Sequence, residues 1–187
     1  MAFEIIRKSD IKTAEWSGGI TEELYIFPRK AVFKKGNYDV RISIATVKTE
    51  TSVFTPLTGV SRILTVLEGE LHLAHEGHHS VHLKPLEQDT FQGDWMTRSS
   101  GKVTNFNVMT KNGIVASVKP IKVDANETIP LNDQSKIDFV YVISGKLSYG
   151  QELIGQGESI VITRKNNAVS LVSNESTSVI RVTINQK

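Results

Sequence analysis

The sequence predicts an all-β chain built as two similar units, and three observations carry that expectation. A stretch recurs: Arg62–Leu71 reads Arg-Ile-Leu-Thr-Val-Leu-Glu-Gly-Glu-Leu, and Asp138–Leu147 reads Asp-Phe-Val-Tyr-Val-Ile-Ser-Gly-Lys-Leu. Val66 thereby aligns with Val142, Gly69 with Gly145 and Leu71 with Leu147. Short alternating runs are separated by turn-forming residues at regular spacing, as in sandwiches and barrels. Helical periodicity, with apolar residues every three or four positions, is almost absent.

Taken in order, Phe3–Ile6 is a short apolar strand and Lys8–Glu15 a polar connection. Trp16-Ser17-Gly18-Gly19 reads as a sharp turn whose glycines supply positive φ. Thr21–Phe27 alternates and stops at Pro28. Tyr38–Val47 is the clearest strand, with Val40, Ile42 and Ile44 on one face and Arg41, Ser43 and Ala45 on the other. Thr51–Thr58 is loop and short strand, broken by Pro56. Ile63–Leu67 and Leu71–His75 are expected to pair across Glu68–Glu70, and Glu76-Gly77 to turn the chain into His79–Leu83. Thr90–Gln92 and Val103–Thr110 follow, with Ser99–Gly101 as a connection. Val115–Val118 opens the second unit. Thr128–Leu131, Phe139–Ile143, Lys146–Tyr149, Glu152–Ile154, Ser159–Thr163, Ala168–Val172 and Ser178–Ile184 complete it. The boundaries are 1–112 and 113–187, with the N-terminal strands free to cross into the second unit. No linker rich in Pro, Gly or Ser separates the halves, so they are expected to pack as one compact body.

Composition narrows the function. The 187 residues, 39% hydrophobic and 22% charged, describe an ordinary globular chain. A net charge of +2 with scattered basic residues argues against a nucleic-acid partner. Without cysteine there is no disulfide, thiol chemistry or Cys-ligated zinc. The N-terminus has no signal-peptide pattern and no apolar run reaches membrane length, so the expectation is a soluble, cytoplasmic protein with no membrane partner.

A strand ending in Val-Leu-x-Gly-x-Leu, then a hairpin, then a turn leading into a short strand, resembles the cupin jelly-roll β-barrel. Glu87-Gln88-Asp89-Thr90-Phe91 is aligned with Gln156-Gly157-Glu158-Ser159-Ile160, so the resemblance implies a bicupin. Metal-dependent cupins carry a His-x-His pair, a Glu and a distal His. Here Arg62 and Asp138 stand at the Glu positions, the His pairs fall within Thr55–Thr58 and Leu131–Gln134, and the distal His positions fall near Thr90 and Ile160. None is histidine, and a guanidinium repels a cation. The expectation is no metal and no cofactor. All five histidines (His72, His75, His78, His79 and His82) sit on one hairpin, where Glu76 is the only carboxylate, which reads as an exposed tip.

A narrower series follows in order: Trp16-Ser17-Gly18-Gly19-Ile20-Thr21-Glu22-Glu23-Leu24, Tyr38-Asp39-Val40-Arg41-Ile42-Ser43-Ile44-Ala45, Gly59-Val60-Ser61-Arg62-Ile63-Leu64, Phe91-Gln92-Gly93-Asp94 and Asn105-Phe106-Asn107-Val108-Met109. This series resembles the HutD/Ves family of small bacterial bicupins, some encoded with histidine-degradation genes. It departs from the family at Ser17, in a shorter Gly run, in Phe54–Gly59 and at Asn105.

Alternation places Arg41 and Ser43 on one strand face, Asn105, Asn107 and Met109 on another, and the cupin likeness aims Arg62 inward. Such a pocket suits a small carboxylate, which Arg holds bidentately. Trp16 could wall it, and the Gly18-Gly19 backbone could donate N–H groups. The resemblance suggests an N-substituted glutamate, bound in a regulatory role. Two alternatives stand beside this. One is a metal-independent hydrolase or isomerase using Glu23 or Asp94 as base; the other is a dimeric scaffold with a filled barrel. Without a visible nucleophile–base pair or nucleotide fingerprint, binding is preferred over turnover. An exposed edge strand would allow a homodimer.

Overall fold

The computed structural model describes residues 2–131, 135–163 and 169–186. Residues 132–134 of the second His-pair position, and the first residue of the 168–172 strand, lie outside them. The chain divides into two compact units, one of residues 12–114 and one of residues 1–11 with 115–187.

The unit of residues 12–114 is two facing sheets. The first has six strands in the order Lys12–Trp16, Gly19–Phe27, Val40–Val47, Val103–Thr110, Ser61–Gly69 and Gln88–Gln92. The second has four, in the order Thr51–Val53, Thr97–Ser100, Leu71–His75 and Ser80–Leu83. Leu64, Val66, Phe91 and Val103 of the first meet Leu71, Leu73 and Leu83 of the second in one apolar core. This is the packing that alternation predicts for inward-facing residues.

The other unit repeats the plan. Ala2–Ile6, Ser159–Thr163, Ile137–Ser144, Thr177–Gln186 and Ile114–Val123 form one sheet; Thr128–Leu131, Val169–Ser173, Lys146–Tyr149 and Glu152–Gly155 form the other. Val140, Val142, Ile160, Ile162 and Val179 pack against Ile129, Leu131, Leu147, Ile154 and Leu171. The class is all-β and cupin-like, as expected, although the sheets face one another without closing into barrels.

Several local expectations are corrected. Ser61–Gly69 and Leu71–His75 do not pair; they belong to different sheets. The chain changes sheet at Gly69, where φ is 82°, and a Cβ would come within 2.5 Å of the Lys102 carbonyl oxygen. Gly145, φ 84°, does the same in the other unit. Lys12–Trp16 is an edge strand, exposed along its whole length, so it has no alternation to reveal it. Thr97–Ser100 is a strand that buries Thr97 and Ser99 instead of apolar residues. Gly18 and Gly19 are needed for close approach: the Trp16 ring lies where a Gly18 Cβ would go, and the Thr46 carbonyl where a Gly19 Cβ would go.

The repeat alignment after the hairpin shifts by two residues. Glu87 Oε2 accepts from Lys84 N, and Glu158 Oε2 accepts from Gly155 N, both at 2.8 Å. Leu86 and Gly157 precede them with φ of 69° and 79°. Glu87 therefore corresponds to Glu158, not to Gln156, and Asp89 corresponds to Ile160. That carries Asp89 onto the interior face, opposite Leu64.

Candidate functional site

Strand register stacks the site in rows across the six-stranded sheet. Ile26, Arg41, Met109, Arg62 and Phe91 form one row. Glu23, Ser43, Asn107, Leu64 and Asp89 form the next, and Thr21, Ala45, Asn105 and Val66 the one after. Because side chains alternate, these rows share a face. Both faces of the central strands are buried, Ile42, Ile44, Phe106 and Val108 lying on the opposite one. Arg41, Ser43, Arg62, Asn105 and Asn107 are thus buried polar residues, not a solvated strand face.

Within this cluster the two arginines are held differently. Arg41 Nε donates to Glu23 Oε2 at 2.9 Å and its Nη1 to Ser43 Oγ at 3.3 Å, while Phe33 lies under the guanidinium at 4.0 Å. Arg62 Nη2 donates to Asn107 Oδ1 at 3.0 Å, and Asn107 Nδ2 donates in turn to Asn105 Oδ1. Phe54 and Phe91 flank the Arg62 guanidinium at 4.6 and 5.0 Å. Its Nε is buried and has no acceptor, and no carboxylate pairs with Arg62 among the described residues. Burial, reinforced by Arg41, lowers the Arg62 pKa to about 10 against the pull of Tyr38. Arg62 is therefore charged at neutral pH. Burial raises the Tyr38 pKa against the two arginines, and its hydroxyl contacts Met109 Sδ at 3.9 Å.

The other expected residues separate from this group. Trp16 and Gly19 end the row of Val47 and Val103, six residues along from Arg41. At the rise of a strand that is about 20 Å. Trp16 is half exposed and covers Gly18, so neither it nor the two glycines reach the arginines. Asp94 is exposed on the turn after Gln88–Gln92. Glu23 neutralises Arg41, not Arg62. The aromatic walls Phe33, Phe54 and Phe91 and the buried Tyr38 were not visible in the sequence, since nothing local distinguishes them from core residues.

The hairpin histidines also need correction. His75 is buried, not exposed, and its acid comes from another strand. Its Nε2 lies 2.9 Å from Asp89 Oδ2, and its Nδ1 lies 2.8 Å from Thr97 Oγ1, the residue directly opposite. His79 Nε2 lies 3.0 and 3.1 Å from the two Asp89 oxygens. His78 stacks on Trp95 at 3.7 Å. Burial lowers the His75 pKa, with Asp89 opposing.

The other unit shows what a closed version of the first site looks like. Asp138, at the place of Arg62 in the repeat, is buried and accepts from Arg181 Nε at 2.8 Å and from Ser135 Oγ at 2.6 Å.

Comparison with known proteins now bears on the whole chain. Residues 8–180 match the sequence profile of the HutD family. The chain belongs to the HutD family. HutD from Pseudomonas fluorescens SBW25, solved in a formate condition, superposes with a TM-score of 0.75 at 20% identity, covering 98% of this chain and 100% of that one. PA5104 from Pseudomonas aeruginosa PAO1, a conserved protein of unknown function, superposes at 0.84 and 20% identity, with both chains fully covered. The bacterial pirin YhhW from Escherichia coli, in complex with nickel(II), superposes at 0.74 with 8% identity, over 97% and 98% of the two chains. At these identities the neighbours share the fold of this HutD chain. No curated protein sequence matches it. No helix among the described residues is long and apolar enough to cross a membrane.

Proposed function

We propose that this HutD-family protein binds a small carboxylate between Arg41 and Arg62, in a binding or regulatory role and without turnover. The observation that carries the reading is Arg62: a buried guanidinium with a free Nε and no carboxylate partner among the described residues. Burying such a charge costs several kcal/mol unless a counter-charge satisfies it. A carboxylate accepting from Nε and Nη would supply both the charge and the missing acceptor in one planar contact. Asn105 and Asn107 hold Arg62 from one side, and Phe54 and Phe91 exclude water around it. Glu23, the nearest base for an enzyme, is already engaged by Arg41, which favours binding over proton abstraction. The formate condition of the Pseudomonas fluorescens HutD structure makes formate a natural probe, and N-formyl- and N-formiminoglutamate extend it toward N-substituted glutamates.

The test is a thermal-shift titration in EDTA with formate, acetate and those two glutamates. A saturable rise in Tm for one acid, lost in Arg62→Met, is expected. No shift with any of them, or an equal shift in Arg62→Met, overturns the proposal.

A further inference from the structure

We propose that His75, His79 and Asp89 form a site for a divalent transition-metal ion of the zinc type, apart from the arginine pocket. Two histidine Nε2 atoms converge on one carboxylate, and all three ligand atoms lie within 4.8 Å of one another. Metal–nitrogen and metal–oxygen bonds of about 2.1 Å in tetrahedral geometry need ligand separations of roughly 3.4 Å. The exposed His79 can open its Asp89 contacts of 3.0 and 3.1 Å to that by a few tenths of an ångström, and the 2.9 Å contact to the buried His75 opens by a similar turn of the Asp89 carboxylate.

The surroundings specify which nitrogen faces the ion. Thr97 Oγ1, which also lies 3.2 Å from the Trp95 carbonyl oxygen, contacts His75 Nδ1 at 2.8 Å and fixes the ring orientation. Held through Nδ1, the His75 ring presents Nε2 to the Asp89 carboxylate at 2.9 Å. Orientation of a ligating imidazole through its second nitrogen is the usual outer-shell arrangement of metal sites. Phe91 and Trp95 pack beside His75, with ring centroids at 4.5 and 5.7 Å, and wall the inner side of the site. His79, 41% exposed, is the solvent side, where a fourth position is open to water or an incoming donor. The geometry arises from the tight loop in which His75 N donates to His79 O at 2.8 Å, bringing both imidazoles to one strand end.

The experiment is titration of EDTA-treated, dialysed protein with Co²⁺, followed by visible absorption and calorimetry, with Zn²⁺ as competitor. One equivalent is expected to bind with a Kd on the order of micromolar, giving the intense bands of a low-coordinate site, and to be displaced by Zn²⁺. His79→Ala and Asp89→Asn are expected to weaken binding by at least about tenfold, and Thr97→Val by about 10- to 100-fold through loss of orientation. His79 is exposed, so its variant reports on the ion even if the buried variants fold poorly. The double variant His72→Ala/His82→Ala, directly opposite each other on the same hairpin, is expected to bind as the parent does. Absence of stoichiometric binding overturns the proposal. Binding that survives His79→Ala and Asp89→Asn, or is lost with His72 and His82, also overturns it.

Discussion

Arg62 and Asp138 occupy equivalent places in the two repeats, carry opposite charge, and are both buried; Asp138 has its partner in Arg181, and among the described residues Arg62 donates to the Asn107 amide and to no carboxylate. One position holds a buried carboxylate paired with an arginine in one unit and a buried arginine hydrogen-bonded to an amide in the other. The same strand geometry thus supports two different uses.

This asymmetry predicts opposite stability effects. Asp138→Ala is expected to cost about 3 kcal/mol or more, because it removes the buried carboxylate that Arg181 pairs with. Arg62→Met is expected to be neutral or stabilising by about 1 kcal/mol, since it removes an uncompensated charge and keeps the stem contacts. Urea midpoints at unchanged m-value check both. A loss above about 2 kcal/mol for Arg62→Met would mean that Arg62 is structural.

Ligand affinity should be flat with pH between about 6 and 9. Arg62, with its pKa lowered to about 10, keeps its proton throughout that range. Above pH 10 the guanidinium loses its proton and carboxylate affinity should fall. The stability sign is the reverse. Above about pH 10, where the folded chain gives up this proton before the unfolded chain does, the unfolded chain binds more protons, so this group's contribution to stability rises with pH. Formate titrations across pH and salt check the binding half.

Glu23→Gln separates binding from turnover. Its carboxylate competes with any ligand for Arg41, so neutralising it should preserve carboxylate affinity or raise it by up to roughly tenfold. Loss of a measurable reaction in this variant, with binding intact, would instead mark Glu23 as a base.

Gly69→Ala tests the sheet-changing corner. With φ at 82° and the Lys102 carbonyl 2.5 Å from the new Cβ, the variant should lose about 1–3 kcal/mol from backbone strain, with the clash adding to that. A Gly36→Ala control, also at positive φ but with open space around its Cβ, should lose less. Thermal unfolding of both proteins decides it.

Local pattern specifies the fold more fully than the site, for a physical reason. Alternation reports which residues share a strand face, and it placed Arg41, Ser43, Asn105, Asn107 and Met109 correctly relative to one another. It carries no information about what stands beyond the sheet, so the polar face could equally have met solvent. Fully polar or fully exposed strands such as Thr97–Ser100 and Lys12–Trp16 gave no apolar period to detect. Trp16, Gly18 and Gly19 were adjacent in motif but distant in register, because strand neighbours in space depend on pairing and not on order in the chain.

By itself, then, the sequence determined the all-β class, the internal repeat, the family and the arginine at the repeat's inward position. These follow from local pattern: side-chain period, turn residues and residue type at a repeated place. Only the tertiary structure decided which acid met which base. It assigned Glu23 to Arg41, gave Arg62 an amide and no carboxylate among the described residues, and carried Asp89 to His75 and His79. Electrostatic pairing acts across a few ångströms between strands, and register sets that distance.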